Sequence, residues 1–444
     1  MKVIGIIAEY NPFHNGHAYQ IARIREKASA DYVVVAMSGD FVQRGTPAII
    51  DKYARTKMAL SCGADLVLEL PALWATSSAE SFAMAGVTLL EKIGCVDGIC
   101  FGAETDNLPL LTQIASLLAE EPQEYRDALS SYLKAGASFP AARAKAVCDY
   151  LAGNHISAKF ANEYTVQTLD AVMNEPNNIL AVEYLKAIRK RGSSLTPYLI
   201  KREGAGYHET MIQAARDHKN TCYGAPTASA TAIRNVLAEQ HLAANDHTLE
   251  LANLAHTMPA SAHAVLTEYL SNAPAVWADD FSSILGYLLL IQEKEKLASI
   301  ADCSEEIANR FVKNRYQFSS FSKFCAINKS RDVTYSRISR ILLHLLLDIT
   351  DADYQHGKKL DYVPYLRILG FRRTSSALLG TLKKSTAIPV ISKLADASAV
   401  LSNEALSILE KDIFAADLYD QVLSQNPAKK TTPRSEYTRE IVLL

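Results

Sequence analysis

Through the first hundred residues, short apolar runs alternate with stretches of helical periodicity. Val3–Ile7, Tyr32–Met37, Leu66–Glu69 and Gly98–Phe101 are continuous apolar runs of strand length, and the segments around 18–29, 51–62 and 78–93 carry helical spacing. Buried strands separated by helices of that length predict βαβ units and a parallel sheet. Ligands of such sheets bind beyond the carboxyl ends of the strands. That edge would carry His14, His17, Ser38-Gly39-Asp40, Glu69-Leu70-Pro71 and Gly102-Ala103-Glu104.

Residues 108–175 have few strand formers and read as a helical insertion. Strand character returns over Pro197–Arg202, which closes an α/β unit near residue 240. The chain beyond it, 241–444, is rich in Leu and Ala and predicts a mostly helical domain, with a break around 352–360 and a polar stretch from Pro427 to Arg439.

With 444 residues the chain has room for two or three domains. A formal charge of -2 excludes a global electrostatic attraction to nucleic acid, so such a site must be a local patch. Seven scattered cysteines without a CxxC spacing read as reduced core thiols of a cytoplasmic protein. Glu9 breaks the first apolar run, so no signal peptide is expected. The longest apolar stretch near the middle, Ile284–Ile291, is far short of a bilayer span.

The run Gly5 to His17 places His14 and His17 where a strand hands over to a helix near Gly16-His17. The first N–H groups of a helix have no partner within it and attract anions. Two imidazoles there can donate to phosphate oxygens, and Gly16 lets the backbone come close. No nearby residues complete a usual zinc ligand set, so no protein-bound metal is expected. This HxGH pattern resembles the signature of the nucleotidyltransferase superfamily, whose members attack the α-phosphate of a nucleotide and expel pyrophosphate.

Other loops extend that reading. Ser38–Gly45 ends in Arg44, whose guanidinium suits phosphate or carboxylate, and Asp51 and Arg55 stand one helical turn apart. Pro176-Asn177-Asn178 opens a helix, with one asparagine expected as its cap and the other free for nucleotide. Lys201-Arg202 through His208 ends a strand with cations and glycines. Ala228–Arg234 resembles the ISSTxxR motif that partners HxGH, although only Ser229, Thr231 and Arg234 match it.

Between residues 310 and 340 eight cations, among them Lys329, Arg337 and Arg340, face the single acid Asp332, with Tyr and Phe interleaved. Residues 366–393 add Arg367 and Lys383 among six cations with no acid. Cations grip phosphates and aromatics stack on unpaired bases, so both stretches are candidate RNA contacts.

Taken together, the strings Gly5–His17, Met37–Arg55, Asp65–Pro71, Phe101–Glu104, Pro176–Leu185, Lys201–His208, Ser229–Arg234, Thr334–Leu347 and Tyr365–Lys393 resemble the bacterial tRNA(Met) cytidine acetate ligases over nearly the full length. The resemblance implies a Rossmann-like, HIGH-type parallel-sheet domain with a helical insertion, followed by a mostly α-helical domain. It implies ATP-dependent acetylation of N4 of the wobble cytidine, C34, of elongator tRNA(Met), with acetate as donor and Mg²⁺ accompanying ATP. The implied ATP site is Ile7-Ala8-Glu9-Tyr10-Asn11-Pro12-Phe13-His14-Asn15-Gly16-His17-Ala18-Tyr19-Gln20, with Gly102, Asn178 and Arg202. His14, His17, Ser229, Thr231 and Arg234 form the expected catalytic set, and Arg44, Lys329, Arg337, Arg340, Arg367 and Lys383 the expected tRNA contacts. No membrane or protein partner is implied. The rival readings are a small-molecule adenylyltransferase of coenzyme metabolism, an RNA-binding protein on an inactive nucleotidyltransferase fold, and an aminoacyl-tRNA synthetase. The last lacks a KMSKS-like string in the expected place.

Overall fold

The computed structural model describes residues 1–152, 169, 172–202, 228–243, 251–426 and 431–444. In chain order the strands are β1 (Val3–Ala8), β2 (Tyr32–Ser38), β3 (Phe41–Val42), β4 (Thr46–Pro47) and β5 (Leu66–Leu70). They continue as β6 (Gly98–Ala103), β7 (Thr196–Lys201), β8 (Leu366–Phe371), β9 (Val390–Ile391) and β10 (Val442–Leu443). Eight of them form one sheet in the order β10-β8-β5-β2-β1-β6-β7, with β9 also on β8, while β3 and β4 make a separate small hairpin. From β5 to β7 every pairing is parallel. β1, β2, β5 and β6 are buried on both faces, which is why they read as unbroken apolar runs, while β7 at the sheet edge is partly exposed. Two buried hydrophobic clusters fill the two sides of the sheet.

The strand order reverses at β1, which has β2 on one side and β6 on the other. A crevice opens beyond the strand ends at such a switch point, and the β1 turn with its histidines lies there. Helix α1 (Asn15–Ala28) follows that turn, and α2 (Lys52–Ser61) follows the hairpin.

The expected insertion begins as three helices, Leu108–Glu120, Gln123–Lys134 and Phe139–Ala152. The C-terminal part is mostly helical, but the sheet does not stop near residue 240. β8 adds to β5 in antiparallel sense and brings β9 and β10 with it. Leu366–Phe371 was read only as part of a basic stretch because Arg367 masked a strand otherwise made of Leu, Ile, Gly and Phe. The break expected at 352–360 is instead helix Asp351–Lys359, opened by a capping box between Thr350 and Asp353. The free thiols of Cys100, Cys148, Cys303 and Cys325 are buried, and those of Cys62 and Cys95 are half-buried. Among the described residues, no helix is long and apolar enough to cross a membrane.

Candidate active site

His14 is the N-cap of α1, so the helix begins one turn-residue earlier than the glycine suggests. His14 Nδ1 accepts the Gly16 N–H at 3.1 Å, and His17 Nδ1 accepts the His14 N–H at 3.2 Å. The HxGH string is thus a reciprocal capping box built from two imidazoles, in place of the usual hydroxyl and carboxylate. The rings stack with centroids 3.7 Å apart, and Tyr10 packs edge-on against His17 at 4.7 Å.

Burial, then Arg202 and Arg234, lower the His14 pKa to about 3. Burial, then His14 and Arg202, hold His17 well below its ordinary value. Both imidazoles are therefore neutral at pH 7. With Nδ1 occupied as an acceptor, each carries its proton on Nε2, which makes both Nε2 atoms donors. The pair offers two N–H groups and no charge of its own.

These rings line a cleft of about 340 Å³ whose walls include Glu9, Arg44, Gly102, Arg202, Ser229, Thr231 and Arg234. Ser229 Oγ accepts the Ala232 N–H at the start of helix Ala230–Ala243. One turn on, Arg234 donates to the Asn11 carbonyl at 2.6 Å and to Thr231 Oγ1 at 3.1 Å. Burial, opposed by Glu9 and reinforced by Arg44, lowers the Arg234 pKa to about 10, so it stays cationic. The two motifs, more than two hundred residues apart in the chain, meet at Asn11. On the opposite wall, a Cβ at Gly102 would lie 3.3 Å from Arg202 Cγ.

Several expectations change in detail. Asn178 is buried and does not line the cleft: its Oδ1 accepts the N–H groups of Glu104 and Thr105 at 3.0 and 3.1 Å, holding the turn after β6. Asn177 lines the cleft and donates to Glu104 Oε1 at 2.5 Å. Neither asparagine is the cap of helix Pro176–Arg191; Glu175 holds that position, with no side-chain cap bond. Arg55 is fully buried and donates to the carbonyls of Glu9, Ser38, Gly39 and Ile50. It braces the loop and, among the described residues, forms no ion pair, while Asp51 pairs with Arg439 at 2.6 Å.

Arg367 is corrected most clearly. Its guanidinium is buried between Glu69, at 2.8 Å, and Glu436, and Lys52 bonds the same two carboxylates at 2.7 and 2.6 Å. Burial alone would raise the Glu436 pKa, but Lys52 and Arg367 pull it down to about 2. This network fastens the C-terminal segment to the sheet and leaves Arg367 out of reach of RNA. Arg44, expected with the tRNA contacts, lies in the cleft. Lys329 and Lys383 are exposed, and Arg337 and Arg340 are half-buried against the Asp302 carbonyl and carboxylate. Of the interleaved aromatics, Phe311, Phe321 and Phe324 are core, whereas Tyr316 is 80% exposed and Tyr335 42% exposed. Glu203–His208, the segment of glycines after β7, lies outside the described residues.

A parallel sheet whose switch point carries an imidazole capping box, faced by a Ser/Thr/Arg helix start, defines a HIGH-type nucleotidyltransferase. A family model described as HIGH Nucleotidyl Transferase matches residues 1–435. The chain is 39% identical over 420 residues to a tRNA(Met) cytidine acetate ligase of Thermoanaerobacter sp. (strain X514), covering 94% of this chain and 95% of that protein. It is 36% identical to the enzyme of the same name from Acetivibrio thermocellus, with all of both chains covered. A crystal structure of Thermotoga maritima TmcAL bound with alpha-thio ATP superposes with a TM-score of 0.86 at 28% identity, again over all of both chains. The chain belongs to the tRNA(Met) cytidine acetate ligase family of HIGH nucleotidyl transferases.

Proposed function

We propose that the protein is an ATP-dependent ligase that activates acetate as acetyl-adenylate and transfers the acetyl group to N4 of C34 in elongator tRNA(Met). The observation that carries this reading is the pair of neutral Nε2–H donors facing a cleft that Arg234 and Arg202 also enter. Acetate is already ionised at neutral pH, so the first step needs no general base. Its carboxylate oxygen attacks the α-phosphorus, the Pα–O bond to the β-phosphate breaks, and pyrophosphate leaves. Catalysis is then a matter of alignment and of hydrogen bonds aimed at the charge that develops. His14 and His17 serve the α- and β-phosphate oxygens, and Ser229, Thr231 and Arg234 the departing pyrophosphate. In the second step the cytidine N4 attacks the acetyl carbonyl carbon, AMP departs, and N4 releases one proton.

Mg²⁺, were it to accompany ATP, would offset negative charge on the phosphates in the cleft that Glu9, Arg44, Arg202 and Arg234 line. The α/β unit, built on residues 1–240 and completed by β8–β10, performs activation, and the helical part of residues 241–444 presents the tRNA through Lys329, Arg337, Arg340 and Lys383. Such tRNA is unstacked at the wobble base, which the cleft receives.

The test of the activation step is ATP–pyrophosphate exchange by the purified chain, with acetate present or omitted. Exchange that requires acetate supports the ligase. Exchange driven by some other small acid or phosphate ester, with acetate inert, favours the small-molecule adenylyltransferase.

A further inference from the structure

The hairpin β3–β4 ends in Gln43-Arg44-Gly45, and its two halves face different parts of the protein. Gln43 and Arg44 line the nucleotide cleft. The Gln43 N–H donates to Glu9 Oε1 at 2.7 Å, and its Nε2 donates to the Ser77 carbonyl at 3.1 Å. Gly45, one residue on, turns away and is gripped by helix Tyr335–Leu346. Ser339 Oγ, fully buried, donates to the Gly45 carbonyl at 2.8 Å. Gly45 has φ +75°, and a Cβ there would stand 2.4 Å from the Arg340 backbone nitrogen, so only glycine lets helix and hairpin meet.

The same helix holds the other wall. His344 Nε2 lies 3.0 Å from the Thr76 carbonyl, next to the Ser77 that bonds Gln43. The start of the helix presents Tyr335, 42% exposed, and the half-buried Arg337, which donates to the Asp302 carbonyl at 3.0 Å; Arg340, adjacent in sequence to Ser339, turns inward and pairs with the Asp302 carboxylate at 3.1 Å. One helix therefore contacts the backbone that aims Arg44 and carries the cations expected to meet phosphate.

We propose that Ser339 is a positioning residue: by fixing Gly45 it aims Arg44 into the cleft, and it makes acetate activation responsive to tRNA seated at Tyr335 and Arg337. This rests on the ligase reading above. A helix pressed onto its RNA transmits a small shift to what it touches, and at the cleft's hairpin that contact is Ser339 on Gly45. Removal of the hydroxyl leaves the buried Gly45 carbonyl without that donor and frees the turn. Activation that waits for tRNA also protects the mixed anhydride from water.

The experiment measures acetate-dependent ATP–pyrophosphate exchange by the full chain, with and without tRNA(Met), for wild type, Ser339→Ala and Ser339→Cys. Wild-type exchange rises on adding tRNA. In Ser339→Ala the stimulation falls by about fivefold or more, the lower edge of ordinary coupling between sites. Its tRNA affinity stays within about twofold, and Ser339→Cys, which keeps a weak donor, lies between. A purely structural serine would instead lower exchange in parallel with and without tRNA, and that outcome overturns the proposal. So does wild-type exchange that ignores tRNA. Absence of any acetate-dependent exchange in the wild type removes the ligase reading itself, a result distinct from both. Should Ser339→Ala fail to fold, the ratio of stimulation in Ser339→Cys decides alone.

Discussion

His14 and His17 cap one another: the backbone N–H of His14 reaches Nδ1 of His17 at 3.2 Å, while Nδ1 of His14 takes the Gly16 N–H at 3.1 Å. The two histidines are thus simultaneously the start signal of α1 and the donors of the nucleotide cleft. Their fixed tautomer follows from a structural bond, which links helix formation to chemistry through the same atoms.

That link sets a pH dependence. An unfolded imidazole titrates near pH 6.5, whereas His14 is held at about 3 by burial and by Arg202 and Arg234. Between those values the unfolded chain binds more protons than the folded one, so stability falls as pH drops from about 6.5 toward 3 and is recovered above 6.5. Each such group adds a slope of up to about 1.4 kcal/mol per pH unit. Urea midpoints measured at about pH 7.5 and pH 5.5 should show this loss, and a His14→Asn/His17→Asn double variant should show a flatter profile.

Arg234 joins its helix to the β1 turn through the Asn11 carbonyl while it faces the cleft. Arg234→Ala should lower kcat by about 10²- to 10³-fold, with a smaller rise in KM for ATP, if the group serves the leaving pyrophosphate as proposed. Arg234→Lys should recover only part of that, since an ammonium cannot keep both the Asn11 and Thr231 bonds in a fixed fork. Steady-state exchange kinetics decide this, and a change in KM alone would contradict the assignment.

Buried and exposed cations should separate cleanly. Arg367→Ala leaves Glu69 and Glu436 short of a cation and should cost about 3–5 kcal/mol of stability. Lys329→Gln or Lys383→Gln should leave the unfolding midpoint nearly unchanged. Each should reduce the magnitude of the log–log salt slope for tRNA binding by about one. Denaturation and binding titrations at several salt concentrations test the pair of claims.

Much of this was legible in the chain. β1, β2, β5 and β6 were readable because burial on both faces makes them unbroken apolar runs, and the His14–His17 string marked the switch point, whereas the two-residue strands β3 and β4 are too short to leave a pattern. Ser229, Thr231 and Arg234 were found by their resemblance to a partner motif, and the fold brings them to the cleft. β8 stayed hidden because Arg367 breaks its apolar pattern, and only the tertiary structure supplies Glu69 and Glu436 to neutralise that charge. Asn177 and Asn178 were indistinguishable by type; which one faces the cleft depends on the helical phase set by Pro176. The grip of Ser339 on Gly45 joins residues 294 positions apart and carries no local signal.

The most direct measurement is incorporation of label from carbon-14 acetate into purified tRNA, with ATP present or omitted and a His17→Ala control. The account predicts label in elongator tRNA(Met), dependent on ATP and lost in the variant. Label that persists without ATP or in His17→Ala, or tRNA that stays unlabelled with the wild-type chain, would contradict it.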